Sequence, residues 1–307
     1  MTDAPAALPE EAVYLPFDLG PHRLRMALTA CPARDWIEID ATYPAEMAQR
    51  RALLATRRAE VFAALPGSDA ARAETLAVLA AHLPARFPAW FTCGGATLRN
   101  RLTGETWDLA DPPDDPLAIA GRLVAEDLCL VDPASPAPLL TAAVLCFPSR
   151  WRLAEKIGRP LAEVHAPVPG YAAALARPVD RFMAAIRPGH IALRLNWALV
   201  DDPALFQPTG KFRAAPDPSV TAENAGARLF LRVERQTLRL LPASGAVLFG
   251  IRVHVYPLAR IAAQPDPAAR LAEAVRALPA ETLRYKSVQP FRDALLAYLD
   301  RKAAADV

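Results

Sequence analysis

A chain of 307 residues, 53% hydrophobic with a mean hydropathy of +0.12, can bury one large core or two modest ones. Its charge is nearly balanced, net +2, which argues against a nucleic-acid or anionic-membrane partner; the excess of arginine over lysine reads as coding bias. No apolar run reaches the roughly 18 residues of a membrane span and the acidic first residues lack a signal-peptide core, so a cytoplasmic location is expected.

In chain order, residues 1–40 read as irregular, with short elements at 24–28 and 35–40. An amphipathic helix is expected over 44–65, with Met47, Leu53, Leu54, Val61 and Phe62 on one face, ended by Pro66-Gly67. A second helix runs over 69–82 and is closed by Pro84 and Pro88. Strands follow at 98–103, 124–131 and 139–147, with a short helix at 117–123. The stretch 148–169 is chemically dense. It opens on Trp151, carries Lys156, breaks at Gly158 and Pro160, and passes through His165 into Pro167-Val168-Pro169. A helix over 171–186 leads to a strong strand at 191–200. A loop rich in Pro, Asp and Gly spans 201–226, long enough for a lid or a partner-facing flap.

Residues 228–258 alternate Leu229, Leu231, Val233 with Phe230, Arg232, Glu234, then Val247, Phe249, Ile251, Val253, Val255 with Leu248, Gly250, Arg252, His254, Tyr256. That period of two, broken by Pro242 and Ser244-Gly245, predicts a long hairpin. Two amphipathic helices, 266–278 and 290–302, close the chain. The sum is α+β: an antiparallel sheet of five or six strands drawn mainly from 98–260, with helices before, within and after it. The organisation expected is a mostly helical region 1–97, a core 98–262 and C-terminal helices 263–307, packed as one unit.

Candidate chemistry is sparse. The cysteines are Cys31, Cys93, Cys129 and Cys146; none forms a CxxC pair, so they read as buried reduced thiols. Cys146, on an apolar strand, reads as a neutral thiol rather than a haem thiolate. No HExxH motif, nucleophile elbow, GxGxxG after a strand or Walker sequence occurs. His165 is the histidine of interest, because the prolines after it hold one imidazole in a fixed direction. One such histidine suffices for haem, where the porphyrin supplies four ligands; a hydrogen-bonded structural histidine is the alternative. His190 reads as a surface residue, and His254 as a polar-face residue able to approach a pocket. Arg194 either pairs with an anion, such as a haem propionate or a ligand carboxylate, or with Glu234 across the sheet. Glu234 and Arg235 point to opposite faces, so each needs its own partner.

The segments FPSRW, EKIGRPLAEVHAPVPGY, RLNW, LRVERQTLRLLPASGAVLFGIRVHVYPL and RYKS resemble the haem-dependent oxidative N-demethylase family, alpha-subunit-like, over about residues 20–300. The resemblance implies a PAS-like core fold that binds haem b. It implies oxidative removal of a methyl group from a small secondary amine, giving a primary amine and formaldehyde. O2 is the oxidant, and electrons come from NADPH through flavin and iron–sulfur components on partner reductase subunits. Carried over by motif, His165 is the axial ligand. Arg194, Asn196 and Trp197 of RLNW, with Glu234, Arg235 and Gln236 of VERQ, line or brace the pocket; Arg194 and Glu234 are the catalytic candidates. Trp151 and Lys156 stand behind them. A non-catalytic haem or small-ligand sensing module of PAS type and an apo scaffold subunit are the competing readings.

Overall fold

The structure is a computed structural model that describes residues 6–17 and 20–304. Among the described residues ten strands form two antiparallel sheets: β1 (Thr29–Ala30), β2 (Phe62–Ala64), β3 (Phe91–Gly94), β4 (Thr97–Asn100), β5 (Thr106–Asp108), β6 (Asp127–Asp132), β7 (Leu139–Val144), β8 (Ile191–Val200), β9 (Phe230–Leu240) and β10 (Val247–Pro257). The main sheet has seven strands in the order β1-β8-β9-β10-β6-β7-β2, and β3-β4-β5 make a small separate sheet. With its flanking helices this is an α+β fold.

The β9–β10 hairpin is its spine. Its register runs without a bulge from Phe230↔Pro257 to Leu240↔Val247. Leu241 N donates to Ala246 O at 2.8 Å and Gly245, at φ +73°, turns the chain where a side chain is disfavoured. Glu74 clamps that turn by accepting from Ala243 N and Ser244 N, at 2.9 and 2.7 Å. The expected strand at 191–200 forms as β8 and pairs with β9 along its whole length.

Three local expectations are corrected. The predicted helix 44–65 stops at Thr56, and after a short turn of helix (Arg58–Val61) residues 62–64 become β2, because pairing with β7 overrides helical periodicity. Pro84 does not end its helix, which runs Asp69–Arg86. The strand near residue 98 does not join the main sheet. It pairs with β3 and β5 through short turns, burying Leu98 and Trp107 against the N-terminal helices.

The two faces of the main sheet are covered differently. Pairs across β8, β9 and β10 put Arg194, Gln236 and Ile251 on one face, with Asn196, Glu234 and Val253. The opposite face carries Leu195, Arg235 and Arg252, then Trp197, Val233 and His254. On that second face the C-terminal helices Pro265–Arg276 and Arg292–Ala303 pack Leu271, Val275, Leu295 and Leu299 against Leu199, Leu231, Val233 and Tyr256. The first face is filled in part, by Leu161 and Met183 against Val131, Leu238 and Val247 and by Leu153 and Trp151 against Cys129, Leu140 and Phe249. The rest is left to polar side chains.

Candidate functional site

His165 closes the short helix Leu161–Val164. Its Nδ1 lies 2.8 Å from Leu161 O, so that nitrogen carries the proton and donates to the carbonyl. The same turn is tied by Val168 N donating to His165 O at 2.8 Å and Tyr171 N to Val168 O at 3.1 Å. Gly170, at φ +76°, then brings Tyr171 back so that its ring stacks on the imidazole at 4.7 Å and 10°. Nε2 makes no hydrogen bond among the described residues. Burial, opposed by the bond to Leu161, lowers the pKa of His165 below the ordinary histidine value, and the charges of Lys156, Arg194 and Lys211 act in the same direction. The ring is therefore neutral, fixed, and presents one lone pair.

On the sheet Glu234 is the centre of a network. Ser149 Oγ donates to its Oε1 at 2.5 Å; Asn196 Nδ2 and Gln236 Nε2 donate to its Oε2 at 3.2 and 2.7 Å. Arg194 Nη1 donates to Gln236 Oε1 at 3.0 Å, and Arg232 Nε to Ser149 Oγ at 2.8 Å. Burial pushes the Glu234 carboxyl up, but these bonds and the Arg232 charge outweigh it and hold the group below the usual range, ionised. Arg194 and Glu234 are not a direct ion pair among the described residues, so Arg194 touches its carboxylate only through Gln236.

Cations outnumber anions here, the acids being Glu234 and Glu155. Arg194, Lys211 and Lys286 all feel the charge of Glu234, and Lys156 lies next to Lys211. Burial lowers the pKa of every one of these four groups. Two buried polar atoms close to the His165 ring, Arg194 Nε and Tyr171 OH, have no partner. A cavity of about 340 Å³ opens beside the His165 segment, lined by Trp151, Lys156, Pro167, Lys211 and Phe212 among others. A free imidazole lone pair, a surplus of half-buried cations and partnerless donors nearby are features that would suit a dianionic ring cofactor held by one histidine. No group of three or more His, Cys, Asp or Glu residues suited to a bare metal ion occurs among the described residues.

Residues 27–296 match the sequence family described as haem-dependent oxidative N-demethylase, alpha subunit-like. The chain belongs to that family. The match covers the FPSRW, HAPVP, RLNW, VERQ and RYKS segments, and three of these, with Asn196, Gln236 and Arg194, meet at the network just described.

The chain does not gather every residue its motifs single out. Trp197 and Arg235 lie on the other face. Trp197 packs edge-on against Phe17 at 5.5 Å, and Arg235 binds Trp36 O at 3.1 Å, Asp35 O and Glu38. His254 does not approach the cavity; it is buried between Glu11 and Glu38, at 3.2 and 3.1 Å. Cys146 is buried, and burial pushes its thiol up to about 12, so it is no thiolate. Cys93, expected inside, is exposed. Sequence reasoning missed Ser149, Arg232, Tyr171, Lys211 and Lys286. Ser149 and Lys286 lie within the FPSRW and RYKS motifs; Arg232 precedes VERQ by one residue, and its five bonds, including Phe147 O at 2.8 Å and Leu205 O at 3.0 Å, tie the segment after β7 and the 201–226 loop to β9. Among the described residues no helix is long and apolar enough to cross a membrane.

Proposed function

We propose that this chain binds haem b through His165 and removes a methyl group oxidatively from a small secondary methylamine, releasing a primary amine and formaldehyde. The observation that carries the reading is the His165 geometry: Nδ1 committed to Leu161 O, Nε2 unbonded, the ring stacked on Tyr171. Unlike Nε2 of His82, which is sealed in the core without a partner, Nε2 of His165 is open to the space a ligand would enter. The antiparallel order β8-β9-β10-β6-β7, with one wall made by the segment between β7 and β8, supports the PAS-like reading of the core.

Haem b, when bound, supplies the reducible iron at which O2 is activated for attack on the N-methyl group. Its propionates would be met by the surplus cations Arg194, Lys156 and Lys211. Glu234, ionised and held by three donors, gives the methylammonium a counter-charge in a site where charge is poorly screened. Asn196 and Gln236 keep that carboxylate facing one way, and Arg194 braces Gln236. The crossover segment and the 201–226 loop, clamped by Arg232, limit water around the amine. This chain carries no flavin or iron–sulfur motif of its own, so the electrons, from NADPH through flavin and iron–sulfur centres, are assigned to partner reductase subunits.

The test is spectroscopic. Hemin titrated into the purified chain should give a Soret band at one equivalent, and His165→Ala should lose it or lose its shift with carbon monoxide. An unchanged His165→Ala spectrum overturns the ligand assignment. Formaldehyde release from dimethylamine with a supplied reductant tests the reaction; a Soret band without release favours the sensing module instead.

A further inference from the structure

Three of the four non-glycine residues with a left-handed φ among the described residues meet at one short segment, 207–213: Arg150 at 61°, Phe212 at 61° and Ser287 at 56°. Arg150 N donates to Gln207 O at 2.6 Å, and its Nε to Gln207 Oε1 at 3.1 Å. Phe212 lies in the segment itself, its ring 5.8 Å from that of Tyr285. Ser287 Oγ accepts from Arg213 N at 3.1 Å and donates to Gly210 O at 3.3 Å. Left-handed backbone is costly for residues with side chains, and strain of this kind collects where a ligand is held.

The segment forms one wall of the cavity of about 340 Å³, and the charge around that cavity is one-sided: Arg150, Arg152, Lys156 and Lys211 line it with a single acid, Glu155. The two lysines spend their protons on neutral oxygens, Lys156 Nζ on Val164 O and Lys211 Nζ on Tyr285 OH at 3.1 Å. Arg150 has only a share in an acid. Its Nη2 donates to Asp201 Oδ1 at 2.7 Å, while the other oxygen of Asp201 takes Arg213. Arg150 is 9% exposed, and its buried Nη1 has no partner. The cover over this side chain is thin, because it is glycine: a Cβ at Gly210 would stand 3.8 Å from Arg150 Cδ. Trp151 and Phe212, the latter 46% exposed, give the same cavity a flat apolar wall. His165 does not line it; the wall reaches that segment only at Pro167.

We propose that this cavity is a binding site for a small organic carboxylate with a flat apolar body, distinct from the seat at His165. A carboxylate presents two coplanar oxygens that match the edge of a guanidinium, and its charge balances what Glu155 and the shared Asp201 leave uncompensated. The body of the ligand replaces water over Trp151 and Phe212. The volume lies at the lower end of the range for small-molecule pockets, which suits a ligand of this class. The strained backbone at Arg150 and Phe212 holds the charged wall and the apolar wall against the same space.

The experiment titrates benzoate into the purified full chain at low ionic strength and reads binding by calorimetry, with benzyl alcohol as the uncharged match of the same ring. Benzoate should bind at least about tenfold more tightly than benzyl alcohol, and its affinity should fall as salt is raised. Lys211→Gln and Arg150→Gln each remove one charge from the wall, and each should weaken benzoate severalfold while leaving benzyl alcohol where it was. Arg150 also ties Gln207 and Asp201, so if Arg150→Gln does not fold, Lys211→Gln, which gives up a single bond to Tyr285, decides. Benzoate bound no more tightly than benzyl alcohol, or unaffected by Lys211→Gln, overturns the proposal. The chain loaded with one equivalent of hemin should keep its affinity for benzoate; displacement by hemin would make the basic wall a propionate seat and overturn the proposal as well.

Discussion

On one face of the central sheet Arg252 reaches Asp40 at 3.1 Å and Glu46, Arg235 reaches Glu38 at 3.3 Å, and His254 sits between Glu11 and Glu38. On the other face of the same strands Arg194, Lys211 and Lys286 all feel the carboxylate of Glu234, with Glu155 as the second acid near Lys211. Residue types are alike on the two sides; what differs is stoichiometry. Where acids match or outnumber bases the charges fasten the N-terminal segments onto the sheet. Where bases outnumber acids, and burial is only partial, the surplus has valence to give to something that is not protein. The comparison teaches that a strand's alternation separates a structural charge network from a functional one by a distance of one residue: Glu234 belongs to one and Arg235 to the other.

The sharpest way to break this comparison is to remove one partner on each face. Arg252→Ala strands Asp40 and Glu46 as buried unpaired acids, and should cost about 3–5 kcal/mol in urea unfolding with an unchanged slope. Glu234→Gln keeps the shape of its side chain, and should cost no more than about 1–2 kcal/mol of stability while weakening amine binding roughly tenfold, about 1.4 kcal/mol. If Glu234→Gln unfolds the chain as readily as Arg252→Ala, the two faces are not functionally distinct.

A smaller effect separates the faces by pH. Burial pushes the pKa of His254 down, but its hydrogen bonds to Glu11 and Glu38 outweigh this and hold it above the ordinary value. A raised folded-state pKa means that the stabilisation is fully present below the unfolded value of about 6.5 and is lost as pH rises through the folded value. The segment around Glu11, also held by Tyr256 OH donating to Ala12 O at 2.7 Å, should therefore become more susceptible to limited proteolysis at alkaline pH. His254→Gln should remove that pH dependence; cleavage that is flat with pH in the parent chain would show that the latch does not titrate. The smallest effect is expected from Gly170→Ala. A Cβ at φ +76° costs about 1 kcal/mol and shifts Tyr171 off His165, so hemin affinity should fall several-fold with a melting point lowered by only a few degrees. Unchanged affinity would show that the stacking does not position the ring.

Much of this was legible beforehand, and the reasons are local. The hairpin, β8 and the C-terminal helices announce themselves by uninterrupted periodicity, and His165 by the prolines behind it. What was not legible involves partners far apart in sequence. Residues 62–64 look helical until β7 is beside them, and β3–β5 look like part of the main sheet until their short turns close them on one another. Trp197 and Arg235 share motifs with site residues, yet alternation carries them through the sheet to the other side. Ser149 is unremarkable in sequence because its partner Glu234 is 85 residues away. Lys286 stands in the RYKS segment, but nothing in that segment names Trp197 as its surroundings.

The sequence by itself determined the α+β class, the strand alternation, the family and the stiff turn that carries His165, since each follows from the covalent chain and its nearest neighbours. Only the tertiary structure decided which charges are matched and which are in surplus. That balance is set by long-range pairing of strands and by which segments cover each face, and the free energy of a buried charge depends on what lies within a few ångströms of it, whatever the separation along the chain.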